Sequence, residues 1–381
     1  MVSVSTQQQH NNLLVQSEFA PEDTVSVIAF HPDRNLNIFA VGSWDCTVKI
    51  FEIIEESFKT QGIGIINSSY GSKSPAKQLF THKFDAPILE MRWTITKDSL
   101  LVVTGEGVVS MVSIPSMKVT PILKSPTTLF ATAVMIGNNP MIVTVGCDSF
   151  IRYWTAQDTS KPIKETKLDH APLCVDSNAN FLLIGCSHSY LAYVKFCEPD
   201  NIFLTTPGIE MVPSVIHLSP STHDFLMGSI DGRVLVAEFT FHGDSKLNSV
   251  NRKIAFKAHK DEPERAPKKL FHLNSISFPD FTTCKTNLVH SSASEGILKI
   301  WDLTKKETTL ELKYSGLFGQ ITCSTLSPNL KYAVVCCGYD WCQGIWGINR
   351  PNPRNSGDPN SVCIVITPIS IEIPRTGILG M

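Results

Sequence analysis

Three short apolar runs, Val25–Phe30, Asn37–Ser43 and Thr47–Ile53, follow one another with polar turns between them. The third alternates at period two, with Val48, Ile50 and Phe51 supplying β-branched and aromatic bulk, which predicts strands rather than a helix. Trp44, Asp45 and Cys46 mark the reversal between the second and third runs. Asp45 suits such a turn because its carboxylate accepts hydrogen bonds from nearby backbone N–H groups. A fourth apolar run, Gln78–Lys83, completes a predicted four-stranded antiparallel meander.

The phrase G-S-W-D-C-T-V-K-I-F ending at Phe51 recurs in degenerate copies, anchored at Val112, Trp154, Val194, Ala237, Trp301 and Trp346. The copies read T-G-E-G-V-V-S-M-V, G-C-D-S-F-I-R-Y-W, G-C-S-H-S-Y-L-A-Y-V, G-S-I-D-G-R-V-L-V-A, S-A-S-E-G-I-L-K-I-W and G-Y-D-W-C-Q-G-I-W. Most anchors are about 40–45 residues apart and two intervals are longer, as one period plus an insertion would be. The phrase resembles the ending of a WD repeat, and seven anchors predict an all-β fold, a seven-bladed WD-repeat β-propeller. Residues 13–350 are expected to form the ring, after a polar tail over 1–12 and before a C-terminal extension over 351–381. Leu13–Phe19 is assigned as the outer strand of blade seven, whose other strands are read as Ile321–Leu326, Tyr332–Gly338 and Gly344–Ile348. Val362–Ile373 is apolar but interrupted at Pro368, and can pack along the ring or compete for the closing edge.

Length alone, 381 residues, would suggest two or three domains, but a propeller stacks its repeats around one axis. A hydrophobic fraction of 43% excludes wholesale disorder. A net charge of −2 excludes a protein that coats nucleic acid over its whole surface, so any RNA contact must be local. The eleven cysteines form no CxxC pair, and Cys336, Cys337 and Cys342 lack a fourth ligand at zinc spacing. They read as reduced thiols acting as small hydrophobes, with no metal and no cofactor expected. No apolar run is long enough to span a bilayer, and the first residues carry no signal region, so a soluble intracellular protein is expected.

Catalytic motifs are missing from this reading: no nucleophile elbow, no paired carboxylates in context, no HExxH. Gly71–Ser74 sits in the Gly/Ser-rich insertion 55–77 and lacks the first glycine of a phosphate-binding loop. His188 falls in a blade-four turn without an acid partner, and a non-enzymatic protein is expected. What remains is surface. The turns between second and third strands emerge on one face, here the upper face, which presents Trp44, Asp45, Asp148, Asp231, Arg233, Glu295, Tyr339, Asp340 and Trp341. Trp and Arg are the residues enriched at interface hot spots, and Arg233, following Asp231-Gly232, has no evident local need. A basic stretch over 252–269 has Phe256 and Phe271 nearby, and Lys257, Lys260, Lys268 and Lys269 are candidates for weak contact with single-stranded RNA.

Several phrases together resemble the mRNA export factor branch of the WD-repeat proteins, whose sister is a mitotic checkpoint protein. They are V-S-V-I-A-F-H-P at 25–32, A-V-G-S-W-D-C-T-V-K-I-F-E-I at 40–53, G-S-I-D-G-R-V at 228–234, F-K-A-H-K at 256–260 and G-Y-D-W-C-Q-G at 338–344. The resemblance covers roughly residues 20–350. It implies an adaptor that binds the GLEBS segment of an FG nucleoporin on its upper face, docks at the nuclear pore and assists mRNA export. It also implies that Arg233 pairs with acidic residues of that segment, that the protein is a monomer or a heterodimer with its partner, and that it occupies nucleus, pore and cytoplasm. A checkpoint adaptor and a scaffold subunit of a coat or pore complex are the alternative readings. Blade two departs from the pattern, lacking an Asp turn and an aromatic anchor.

Overall fold

Each apolar run becomes one strand of a four-stranded meander in a computed structural model that describes residues 12–16, 18–59, 74–220, 223–242, 246–261, 269–279, 288–315, 318–339 and 362–370. The first described strand is β1 (Leu13–Leu14). Blade one holds β2 (Val25–Phe30), β3 (Ile38–Ser43), β4 (Thr47–Ile53) and β5 (Ala76–Lys83), with a helical turn α1 (Glu56–Lys59) after β4. Blade two holds β6 (Ile88–Trp93), β7 (Ser99–Thr104), β8 (Val108–Ser113) and β9 (Lys118–Lys124). Blade three holds β10 (Thr128–Ile136), β11 (Asn139–Gly146), β12 (Phe150–Thr155) and β13 (Lys164–Lys167), and blade four β14 (Pro172–Ser177), β15 (Phe181–Cys186), β16 (Leu191–Lys195) and β17 (Ile202–Thr205). Blade five holds β18 (Pro213–Leu218), β19 (Asp224–Ser229), β20 (Arg233–His242) and β21 (Lys246–Lys257). A two-stranded ribbon, β22 (Lys260–Asp261) with β23 (Lys269–Leu270), precedes blade six, which holds β24 (Leu273–Ser277), β25 (Leu288–Ala293), β26 (Ile297–Asp302) and β27 (Glu307–Lys313). Blade seven holds β28 (Gln320–Leu326), β29 (Tyr332–Gly338) and β30 (Cys363–Pro368), with β1 outermost.

The core is divided among the junctions between blades. Seven apolar clusters occur, one at each junction of neighbouring blades, including the junction of blades seven and one. The second strand of a blade is covered on both sides, which is why β7, β25 and β29 are buried along their whole length. Strands covered on both faces read as continuous apolar runs rather than alternating ones. The repeat anchors Phe51, Val112, Trp154, Val194, Ala237 and Trp301 share one register position, opposite Phe39, Leu100, Ile142, Leu182, Phe225 and Val289. Every inner strand also carries a one-residue register shift at its upper end, at Ser26, Leu89, Leu129, Leu173, Ser214, Asn274 and Thr322. Such bulges re-aim a side chain. Three of the polar bulges tie neighbouring blades together: Ser26 donates to the Ile88 carbonyl (2.5 Å), Ser214 to Leu273 (2.9 Å) and Asn274 to Ile321 (2.6 Å), while Thr322 donates to Cys336 within blade seven (3.3 Å).

Blade seven departs from the sequence reading. Its third place is taken by β30, which pairs along β29 from Tyr332↔Pro368 to Cys337↔Cys363. The expected strand Gly344–Ile348 and the anchor Trp346 lie outside the described residues, and part of the expected C-terminal extension is integral to the ring. Pro368 does not interrupt the strand because it is its last residue, and the following Ile369 N–H still bonds the Lys331 carbonyl at 2.8 Å. The N-terminal strand is outermost as expected, but shorter: Leu13 and Leu14 pair with Ile366 and Val365, and the Val15 N–H adds a bond to Ile364 at 3.0 Å. The Val15 side chain, 3% exposed, joins the cluster formed with Phe39 and Phe51 of blade one.

Ring closure therefore rests on strands from both ends of the described chain. Deleting residues 1–20 should lower the melting temperature by roughly 3–6 °C, since the β30 edge loses its partner and the junction loses apolar cover. Unchanged melting of the truncated protein would show that β30 alone closes the ring.

Candidate partner-binding face

The described turns between second and third strands share one plan in blades one, two, three, five and six, while the blade-four turn is one residue longer and takes two left-handed residues, His188 at 58° and Ser189. The third residue of each, Cys46, Gly107, Ser149, Ser189, Gly232 or Gly296, has positive φ, from 61° at Ser189 to 77° at Gly296. The first residue's N–H bonds the carbonyl that precedes the inner strand of its blade, as in Trp44 to Thr24 (2.9 Å), Cys147 to Thr127 (2.8 Å) and Ile230 to Val212 (3.2 Å). The left-handed residue's carbonyl accepts from the end of the outer strand, as in Phe84 to Cys46 (2.8 Å), Leu168 to Ser149 (2.7 Å) and Ala258 to Gly232 (2.9 Å). In blades one, two, three, five and six each turn thus knots three strands together at the upper face. A type I turn followed by a left-handed residue is a common three-residue hairpin solution.

The second position of these turns is Asp45, Glu106, Asp148, His188, Asp231 or Glu295, and each acid has a partner close by. Asp45 accepts the N–H (2.8 Å) and hydroxyl (2.6 Å) of Thr47 and the N–H of Glu22 (2.8 Å). Burial works against its charge, but these bonds outweigh burial and hold the carboxyl below its ordinary range. Asp148 is held below its range first by hydrogen bonds from Arg152, at 3.1 and 2.5 Å. Glu106 pairs with Lys124 at 3.2 Å. Glu295 meets His259 Nδ1 at 2.5 Å, and His259 Nε2 lies 2.8 Å from Ser291 Oγ, which also accepts from Trp301 Nε1 at 2.9 Å. Burial lowers the pKa of His259, so the neutral ring completes a chain from indole to hydroxyl to imidazole to carboxylate. The sequence pointed to F-K-A-H-K without giving His259 a role, because its partners stand on β25, β26 and the turn between them.

Arg233 has the local partners that the sequence did not reveal. Its Nε donates to Asp231 Oδ2 at 2.7 Å and its Nη2 to the Glu210 carbonyl at 2.7 Å. Its turn-mate Ile230 is 52% exposed, and Val212, Leu173 and Leu270 are also exposed at the upper ends of blades four to six. Trp44 is 50% exposed on blade one, with blades six and seven between it and Arg233, so the two share a face without adjoining. Tyr339 does adjoin the Trp44 turn: Thr24, whose carbonyl receives the Trp44 N–H, donates its hydroxyl to the Tyr339 carbonyl at 3.2 Å. Asp340, Trp341 and Lys268 lie outside the described residues. Lys257, Lys260 and Lys269 are exposed beside blade five, and the β22–β23 pairing sets Lys260 and Lys269 on neighbouring strands. His188 meets Ser187 and stands near His170, which stacks on Tyr190 at 4.0 Å.

A family model for "WD domain, G-beta repeat" matches residues 14–52. The mRNA export factor GLE2 of Chaetomium thermophilum is 22% identical over 86% of this chain and 84% of its own. The poly(A)+ RNA export protein of Schizosaccharomyces pombe is 24% identical over 88% of this chain and 86% of its own. The chain is a seven-bladed β-propeller similar over most of its length to the mRNA export factors. Among solved structures, the β-propeller domain of Myceliophteria thermophila Cps50 (Swd1) matches with a TM-score of 0.62 at 12% identity, covering 92% of this chain and 98% of that one, a likeness of fold.

Beneath the upper face, the inner strands line a central channel that carries a charged belt. Arg92 of blade two reaches past blade three to Asp176 of blade four and donates to the Ser177 carbonyl at 3.2 Å, its guanidinium lying over the Phe130 ring at 4.7 Å. Asp176 also accepts the Leu218 N–H at 2.6 Å and faces His217 at 3.3 Å. Burial opposes its charge, but Arg92 and His217 prevail and hold the carboxyl far below its ordinary range. Glu90, 3.7 Å from Arg92, is the counterpart. It lies deep within the ring yet keeps 27% of its side-chain surface open to the channel. Burial first, and then the charge of Asp176, push its pKa to about 7 against the pull of Arg92.

Between about pH 4.5 and 7 the folded protein therefore holds a proton on Glu90 that the unfolded chain has lost, and stability falls as pH rises across that window. Glu90→Gln should flatten this fall and raise the melting temperature at pH 8 relative to the native protein. Parallel pH profiles for the two proteins would refute the assignment. Asp176 acts at the other end: its contribution is present above the unfolded carboxylate pKa and is lost as pH falls below about 4.

Proposed function

We propose that the protein is a non-enzymatic adaptor in mRNA export, whose upper face takes a short acidic segment of GLEBS type from an FG nucleoporin at the nuclear pore. The names of the relatives, which match over most of the chain, support the export role, with nucleus, pore and cytoplasm as its places of action. The observation that carries the peptide reading is Arg233. Asp231 and the Glu210 carbonyl take two of its five N–H donors. They fix the guanidinium at the rim of blade five while leaving donors for an incoming carboxylate. Exposed Ile230 and Val212 beside it offer apolar contact, and a positioned Arg next to apolar surface is the make-up of an interface hot spot. The turn acids of the face each have a hydrogen-bond or ion-pair partner within the chain, which favours an acidic segment over a basic one.

Arg233→Ala should weaken binding of a GLEBS peptide about thirtyfold, equivalent to roughly 2 kcal/mol. Arg233→Lys should recover part of this, because a point charge lacks the fork. Calorimetric titration with melting controls reads both. Equal affinities in intact folds would place the peptide elsewhere. The proposal includes a weaker, local contact with single-stranded RNA at Lys257, Lys260, Lys268 and Lys269, supported by the ribbon that carries Lys260, opposite Leu270, and Lys269, opposite Asp261, on neighbouring strands. An oligouridylate titration whose salt dependence is unchanged by alanine at these four lysines would remove it.

A further inference from the structure

Blade seven concentrates cysteine in a way the linear spacing conceals. Cys323 of β28 pairs in register with Cys336 of β29, and Cys337 of β29 with Cys363 of β30. Successive residues of a strand point to opposite faces. Accordingly Cys323 and Cys336 join the cluster toward blade one, and Cys337 and Cys363 the cluster toward blade six. Directly opposed residues of antiparallel strands have Cβ atoms about 4.5–5.5 Å apart. A disulfide needs Cβ atoms about 3.5–4.5 Å apart and Cα atoms about 4.4–6.8 Å apart, and opposed Cα atoms already lie about 4.5–5.5 Å apart, so an opposed pair bonds once its Cβ atoms draw together by about 1 Å. The described cysteines are free thiols, and the Cys337 thiol interacts with that of Cys363.

The two pairs differ in access. Cys323 and Cys336 are both buried, whereas Cys363, the first residue of β30, is partly exposed. We propose that Cys337 and Cys363 form a modification site, a cross-strand dithiol that a low-molecular-weight disulfide converts into a bond stapling β30 to β29. The partly exposed Cys363 thiol gives up its proton and attacks one sulfur of the small disulfide, forming a mixed disulfide and releasing one small thiolate. Cys337 then gives up its proton and attacks the Cys363 sulfur, releasing the second. One protein dithiol and one small disulfide thus become one protein disulfide and two small thiols. Burial raises the Cys337 pKa, which makes this second step slow and the site resistant to casual oxidation.

The place matters because β30 is the hinge of closure: β1 pairs with β30 alone, and β30 with β29. A bond at Cys337–Cys363 would hold the outer half of blade seven in register while the ladder frays, converting closure by hydrogen bonds into closure by a covalent link.

The test is incubation of the full-length protein with oxidised glutathione, read by intact mass, non-reducing peptide mapping and melting. The expected result is loss of two hydrogens with no glutathione retained, a Cys337–Cys363 linked peptide, and a melting temperature raised by roughly 3–6 °C and restored by a dithiol reductant. Cys363→Ala should lose both the link and the rise, measured against its own reduced form, and Cys323→Ala should keep both. A glutathione adduct left unresolved on Cys363, or a link from Cys337 to Cys342 or from Cys323 to Cys336, would overturn the assignment. A Cys337–Cys363 link without a change in melting would overturn the closure role.

Discussion

The upper face depends on one left-handed residue in each described turn of blades one, two, three, five and six. At Cys46, Gly107, Ser149, Gly232 and Gly296 the chain takes a positive φ. That single conformation lets the turn bond back to the inner strand and accept from the outer one. The constraint is steric where glycine is present: a Cβ on Gly232 would stand 2.1 Å from the His259 carbonyl oxygen. Cysteine and serine occupy the same conformation in blades one and three, at a cost that the flanking hydrogen bonds offset. From the turn outward, the register of each third strand follows, and with it the anchor residues that fill the wedges between blades.

On the proposal that the upper face takes an acidic segment, this construction explains how a face acidic in sequence can do so. Turn acids are recruited to finish the knots: Asp45 closes on Thr47 and Glu22, Asp148 on Arg152, Glu295 on His259. What the knots leave outward is apolar at Trp44, Ile230, Val212 and Leu270, together with the guanidinium of Arg233. The channel follows a different logic. There Arg92 and Asp176 bridge blades that do not touch in sequence order, and Glu90 is left with more burial than its partner offsets.

Much of the fold was legible in the chain because each blade's signal is local. Six anchors, nearly all strand boundaries and the place of the N-terminal strand follow from patterning within windows of one repeat. Blade seven was misread where locality fails: the third strand is supplied by Cys363–Pro368, and a Pro at its far end resembled a break. The same error hid the partner of Cys337, which is near in space and distant in sequence. The candidate site was half legible. Trp44 and Arg233 stand exposed or part-exposed on the predicted face, but Asp231, the Glu210 carbonyl and the wide separation from Trp44 depend on tertiary geometry. His259 was beyond reach for that reason too, since its role is defined by residues on two other strands and a turn.

The most direct measurement is the thermal unfolding of Gly232→Ala beside Cys46→Gly. If the left-handed turn residue is what holds the blade together, a methyl group driven into the His259 carbonyl should cost at least about 3 kcal/mol. Cys46→Gly, relieving the same conformation, should melt no lower than the native protein. A Gly232→Ala protein that melts with the native one would contradict the claim that these turns carry the fold.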